Sequence, residues 1–205
     1  MIQKILGLLL ATSLTGLLSA SDLTPTGVQL AERYDAMDVE HHWLPGHPVD
    51  WRSGDSTNGK PGKTHCSAFV ASACERMGIY ILRPPEHAQK NLANAQWQWL
   101  ENEGKPHGWK PTATPFEAQR LANEGQIVVA VFQNPDSLKP GHIALIRPSG
   151  KPESTIRSEG PQITQAGGTN DTSTSLAQGF RRHPGAWHSA DDFSVRFFTH
   201  PPSDQ

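Results

Sequence analysis

Apolar positions along the chain recur at helical spacing in its first half and gather into short continuous runs in its second. Between Leu23 and Val39, the residues Val28, Ala31, Tyr34 and Met37 form a stripe that predicts an N-terminal helix packed on the domain. From His41 to Lys63 the pattern dissolves into Gly, Pro, Ser, Asp and Asn, the composition of a loop. A second, amphipathic helix is predicted from Cys66, with Cys66, Phe69, Val70, Ala73, Cys74 and Met77 on one face and Gly78 placed to end it. Residues 84–111 open on Pro84-Pro85 and carry Trp97, Trp99 and Trp109 among many amides, which predicts mixed helix and loop. Those tryptophans either fill a core or line a cleft, and the burial of large aromatics favours the core.

Thr114-Pro115-Phe116-Glu117 is a capping box with proline at the first helical position. It predicts a helix to Asn123 or Glu124, closed by Gly125. Gln126 to Phe132 and Gly141 to Ile146 are Val/Ile-rich runs that read as buried strands, joined by a proline-bounded turn. Ser154 to Ala166 reads as a weaker, alternating strand, Gly167 to Ser175 as a polar loop, and Val195 to His200 as a closing strand. No internal repeat is present. Helices followed by strands with short connections predict an α+β fold with an antiparallel sheet, not alternating βαβ units.

The start of the chain changes the setting of this fold. Met1-Ile2-Gln3-Lys4, the apolar run Ile5 to Leu18 and the small residues Ser19-Ala20 read as a secretory signal peptide over residues 1–20. The run is short of the roughly 20 apolar residues of a spanning helix and is interrupted by Thr12, Ser13, Thr15 and Gly16. The expectation is therefore a secreted or periplasmic protein, a single domain over 21–205, with no stable membrane span once the signal is removed. Basic and acidic residues number 18 and 20, a formal net charge of −2, which argues against a nucleic-acid partner.

An exported chain with two cysteines invites a disulfide, yet Cys66 and Cys74 lie on one predicted helix. Eight residues at ~1.5 Å each separate their backbones by about 12 Å, beyond the roughly 7 Å limit for a bridge. Cys74 falls on the apolar stripe and reads as core. Cys66 is delivered by a loop to a helix start, where unpaired amides and the positive end of the dipole stabilise a thiolate and lower its pKa. A buried structural cysteine is the competing reading, since cysteine packs well as a small hydrophobe.

A nucleophilic thiol needs a base, and among the ten histidines His142 stands out. Pro140-Gly141 place it at the rim of the strand His142-Ile143-Ala144-Leu145-Ile146. The base in turn needs an orienting partner. Pairing of strand 143–147 with 155–165 would bring Gln165 beside His142, with Asn170 and Glu159 as alternatives. Each of these also has an ordinary reading: a half-buried histidine, a solvent-facing strand amide.

Cys66-Ser67 at a helix start, Phe69-Val70, Met77-Gly78-Ile79, then Gly141-His142-Ile143-Ala144-Leu145-Ile146, then a polar residue on the next strand resemble papain-like cell-wall hydrolases of the CHAP and NlpC type over about residues 50–170. The resemblance implies a papain-like fold, with N-terminal helices and a nucleophile-bearing helix packed on the sheet. It further implies cleavage of amide bonds in peptidoglycan peptides. In that reading Cys66 is the nucleophile, His142 the base and Gln165 the orienting residue, and no metal or organic cofactor takes part. The chain departs from the pattern at His65, where such enzymes often carry Asp or Asn, and at the third position, an amide within Thr164-Gln165-Ala166-Gly167. Whether an inhibitor partner exists is left open.

Three rival readings remain: a metal-dependent protein using Glu40, His41, His42 and His47; a non-catalytic wall-binding or partner-binding domain of the same shape; and a protein-directed cysteine protease. The metal reading is the weakest on sequence, because the spacing matches no helical metal motif.

Overall fold

The computed structural model describes residues 22–60 and 64–203. The predicted signal peptide lies outside the described residues. The chain is mixed α+β: six α-helices and a six-stranded antiparallel sheet among the described residues. Helix α1 (Pro25–Asp35) starts at Thr24, whose hydroxyl accepts from the Gly27 N–H at 3.1 Å. Helix α2 (Cys66–Arg76) follows the long loop, and α3 (Leu92–Asn102) is followed by a short 3-10 turn and strand β1 (Lys110–Thr112). Helix α4 (Pro115–Asn123) begins at the predicted cap, where Thr114 Oγ1 accepts from Glu117 N–H at 3.1 Å.

Strands β2 (Ile127–Phe132) and β3 (His142–Ile146) are buried along their whole length. Then come α5 (Glu153–Glu159), β4 (Gln162–Gln165), β5 (Asp171–Ser175), α6 (Leu176–Gly179), a small pair β6 (Trp187–Ser189) and β7 (Asp192–Phe193), and β8 (Arg196–His200). The large sheet runs β1-β8-β2-β3-β4-β5. Its two faces are both covered, which is why the central strands read as unbroken apolar runs instead of alternating ones. Ile127, Val129, Val131, Ile143 and Leu145 pack with α1, α2 and α3; Val128, Ala130, Ala144 and Ile146 pack with α4 and α6. Trp99 and Trp109 are buried in the first of these clusters and Trp97 packs against it, so the tryptophan-rich segment serves mainly as core.

Three details differ from the sequence expectation, and the position of the last strand adds a fourth feature. Helix α2 is buried on every side from Cys66 to Cys74, because its small residues Ala68, Ala71, Ser72 and Ala73 let other elements close on the face expected to be polar. The first half of the segment 154–166 is helix α5, with Glu153 in its first turn and Gly160 in a positive-φ conformation at its end; only 162–165 is strand. The polar segment 167–175 contains β5, an edge strand whose Thr and Ser residues suit the pleat without an apolar signature. The last strand lies inside the sheet, between β1 and β2, because the three-residue β1 caps it.

Three polar side chains fix the loops around one end of β3. Asn94 on α3 donates to Lys139 O and accepts from Asn134 N–H, which holds the segment leading into β3. Gln96 on the same helix donates to Ser67 O at 3.2 Å and Leu82 O at 3.0 Å, tying α3 to the first turn of α2. Asn170 Nδ2 lies within 2.8 Å of Val39 O and His42 O, joining the turn after β4 to the loop after α1.

At the mouth of β3 a side chain on Gly141 would meet Phe132 O at 2.2 Å and Asn94 Oδ1 at 2.4 Å. Backbone on one side leaves no room to yield. Gly141→Ala is expected to destabilise the protein by about 1–3 kcal/mol through overpacking, read as a lower thermal midpoint with unchanged far-ultraviolet dichroism below the transition.

Candidate active site

Cys66 is the first residue of α2, so its N–H and that of Ser67 belong to the unpaired amides of a helix start. Both favour negative charge on the Cys66 sulfur, as do the N–H of Ile143 from β3 and the Ser67 side chain. The Ile143 donor is available for a reason that lies in the sheet. Arg147 N–H donates to Gln162 O on β4, so the amides of residues 147, 145 and 143 all face β4. The β3–β4 ladder, however, registers only Leu145↔Thr164 and Ile146↔Ile163. Beyond Leu145 the two strands part, which leaves the Ile143 N–H without a β4 carbonyl and able to favour charge on the Cys66 sulfur.

His142 is the residue before Ile143 and opens β3. Its Nε2 lies 2.7 Å from Gln165 Oε1 at the end of β4, a buried contact across the parted strands. The ring stacks on His183, with centroids 5.2 Å apart and planes 10° from parallel, and meets Phe180 edge-on at 4.6 Å. Exposures of 5%, 4% and 2% for Cys66, His142 and Gln165 show a site largely sealed from bulk water. The three sequence-nominated residues therefore converge on one end of the β3–β4 pair. Among the described residues no hydrogen bond joins Sγ to the imidazole ring, and Nδ1 has no hydrogen-bonding partner.

The orientation of Gln165 is fixed by its other end. Its Nε2 donates to Asp171 Oδ2 at 2.8 Å and to Thr169 O at 3.3 Å, so Oε1 is the atom turned to the imidazole. The alternatives to Gln165 lie elsewhere. Asn170 is spent on backbone carbonyls of the loop after α1 and accepts from Gly167 N–H, and Glu159 is paired with Lys151 at 3.1 Å. His41 and His42 pair separately with Asp38 and Asp55, and Glu40 accepts from Thr172 N–H, so the residues of the metal reading point to different partners. Among the described residues no group of three or more His, Cys, Asp or Glu side chains is arranged to hold a metal ion. Both cysteines are free thiols.

A cleft of about 420 Å³ opens beside the thiol, walled by Thr64, His65, Ser67, Lys90, Leu138 and Gly141 among others. His65 is held in that wall by a contact of 2.7 Å from Nε2 to His47 O. Lys90 is exposed and has no ion-pair partner among the described residues.

Electrostatics correct one expectation. Burial pushes the Cys66 thiol up, against the opposing pull of the Ile143, Ser67 and Cys66 amides, so the resting cysteine is a thiol. Burial, reinforced by the charge that His183 can carry, lowers His142 from 6.5 to about 4, against the opposing hydrogen bond to Gln165. Burial also lowers His183. The resting pair is neutral on both sides. Sequence reasoning missed Asp171, His183 and Phe180; the first sits in a segment that reads as loop, and the other two follow a four-residue helix with no periodic signature.

Comparison with protein-family models and with curated proteins finds no match for this chain.

The unfolded chain takes up the His142 proton near 6.5 and the folded chain only near 4, so the folded state excludes a proton between these values. The His142 contribution to stability is expected to be constant above the ordinary histidine range and to fall as pH drops from 6.5 toward 4. Urea unfolding at stepped pH checks this, with a smaller slope expected in His142→Gln; His183 and His65, both also lowered by burial, supply the remainder.

Proposed function

We propose that this chain is an exported cysteine amidase or endopeptidase of papain-like architecture that cleaves amide bonds in peptidoglycan peptides. The observation that carries the reading is the meeting of a helix-start thiol, a strand-start imidazole and an amide-held Nε2 at one end of β3. A ring whose Nε2 donates to Gln165 keeps its lone pair on Nδ1, the nitrogen left for the thiol. That arrangement matches the Cys-Ser and Gly-His-Ile-Ala motifs that resemble CHAP and NlpC hydrolases.

In this reading Nδ1 of His142 removes the Cys66 proton as Sγ attacks the carbonyl carbon. The amides at the start of α2 receive the developing oxyanion. The imidazolium then returns its proton to the leaving amine, and the acyl group stays on sulfur as a thioester. Water, deprotonated by the same imidazole, releases the acid and regenerates the thiol. Because both groups rest neutral, the proton moves only as attack proceeds, and no preformed ion pair is required. An exposed Lys90 on the cleft wall, without an ion-pair partner among the described residues, suits a peptide carrying free carboxylates, as wall peptides do.

Digestion of purified peptidoglycan, followed by mass analysis of the released peptides, tests the proposal. Wild type is expected to release new amine and carboxyl ends, and Cys66→Ala and His142→Ala to reduce the rate by about a thousandfold or more while keeping the wild-type fold. Binding without release by the wild type would favour a non-catalytic wall-binding domain, and cleavage of casein but not peptidoglycan a protein-directed protease.

A further inference from the structure

Asp171 touches neither the thiol nor the imidazole, yet it is directly opposite Gln165 in the β4–β5 register. The amide of a glutamine is nearly symmetric in shape, so packing alone does not decide which end faces a neighbour. Hydrogen-bonding partners decide it. Here Nε2 faces two acceptors, the Asp171 carboxylate at 2.8 Å and Thr169 O at 3.3 Å, while Oε1 faces His142. The shorter contact is to a carboxylate, and hydrogen bonds to such groups are the stronger kind.

We propose that Asp171 is a positioning residue that locks the Gln165 amide and thereby sets which nitrogen of His142 carries the proton. This rests on the reading of Cys66 and His142 as nucleophile and base. With Oε1 turned to the ring, Nε2 of His142 must be the donor, and the neutral imidazole has its lone pair on Nδ1. A reversed amide presents its NH₂ group to Nε2. The ring then accepts there and carries its proton on Nδ1, where it cannot take one from a thiol. The amide and the imidazole keep the same atoms and the same charge in both arrangements. Only the Asp171 carboxylate, helped by one backbone carbonyl, distinguishes them.

The surroundings are built to keep this contact in place. A side chain at Gly179 on α6 would approach Gln165 Oε1 to 2.7 Å and Ile163 Cδ1 to 2.5 Å, so the bare backbone there closes over the amide. Gly167 similarly brings the turn after β4 against the imidazole, where a side chain would lie 3.3 Å from His142 Cε1. These contacts confine Gln165 but are blind to which end of its amide is oxygen.

The test is long-range proton–nitrogen NMR of the His142 ring in uniformly nitrogen-15-labelled protein, assigned by comparison with His142→Ala. Wild type is expected to show protonated Nε2 and unprotonated Nδ1. Asp171→Ala is expected to lose that single tautomer, with kcat on peptidoglycan down about tenfold or more and KM little changed. Asp171→Val, which suits an edge strand, serves if the alanine variant folds poorly. A second change, Gln165→Glu in the Asp171→Ala background, should restore the Nε2-protonated ring, because a carboxylate presents an acceptor whichever way it turns. A His142 that remains Nε2-protonated in both folded Asp171 variants overturns the proposal. A tautomer that shifts as expected in a protein that never cleaves peptidoglycan leaves the lock standing and removes only the hydrolase reading.

Discussion

The parting of β3 from β4 beyond Leu145 is the constraint on which the site depends. Had the ladder continued, Ile143 N–H would be consumed by a carbonyl of β4 and the ends of the strands would be zipped shut. Instead the freed Ile143 N–H acts on the sulfur of Cys66 at the start of α2, and the gap leaves room for His142 and Gln165 to meet through their side chains. Polar side chains fix the segments around this gap. Asn94 and Gln96 on α3 secure the loop before β3 and the first turn of α2, and Asn170 ties the turn after β4 to the loop after α1. Helix α2 buried on every side gives the thiol no freedom to swing away.

Burial is what sets the chemical character of these groups. A helix start and three amides favour a thiolate, but removal from water opposes charge more strongly, and the same loss of solvent disfavours the imidazolium. The stacked His183 adds to this, since two cations cannot share such a space cheaply. The result is a site that rests uncharged, and in the proposed mechanism Nδ1 is the acceptor of the thiol proton. A neutral imidazole with the wrong tautomer would be inert, which gives the Gln165 amide and its partners an importance out of proportion to their distance from the sulfur.

Much of this was readable in the sequence where a residue type has one strong local reason for its place. The Thr114-Pro115 start of α4, the apolar runs of β2 and β3, and Cys66 at a helix start all follow from local rules, and the structure has them at those positions. The convergence of Cys66, His142 and Gln165 was also foreseeable, because strand pairing between 143–147 and the segment before 166 brings their ends together. What escaped notice lacked such a rule. Helix α5 carries one buried apolar residue, Ile156, too few to show a period, and β5 is polar because it is an edge. Asp171 and His183 matter through the side chains that tertiary packing sets beside them. The ionisation of Cys66 went the other way because sequence registers the helix start but not the depth at which it is buried.

The central claim is that His142 activates Cys66, and the pH dependence of iodoacetamide labelling tests it without knowledge of the substrate. Mass spectrometry separates Cys66 from Cys74, which burial pushes up to about 12 and which serves as the internal reference. With His142 as base, labelling of Cys66 should set in as the imidazole loses its proton, well below the range of an ordinary thiol, and should move to strongly alkaline pH in His142→Ala. Identical profiles for Cys66 in the two proteins, following thiol ionisation alone, would contradict the account and leave Cys66 a buried structural cysteine.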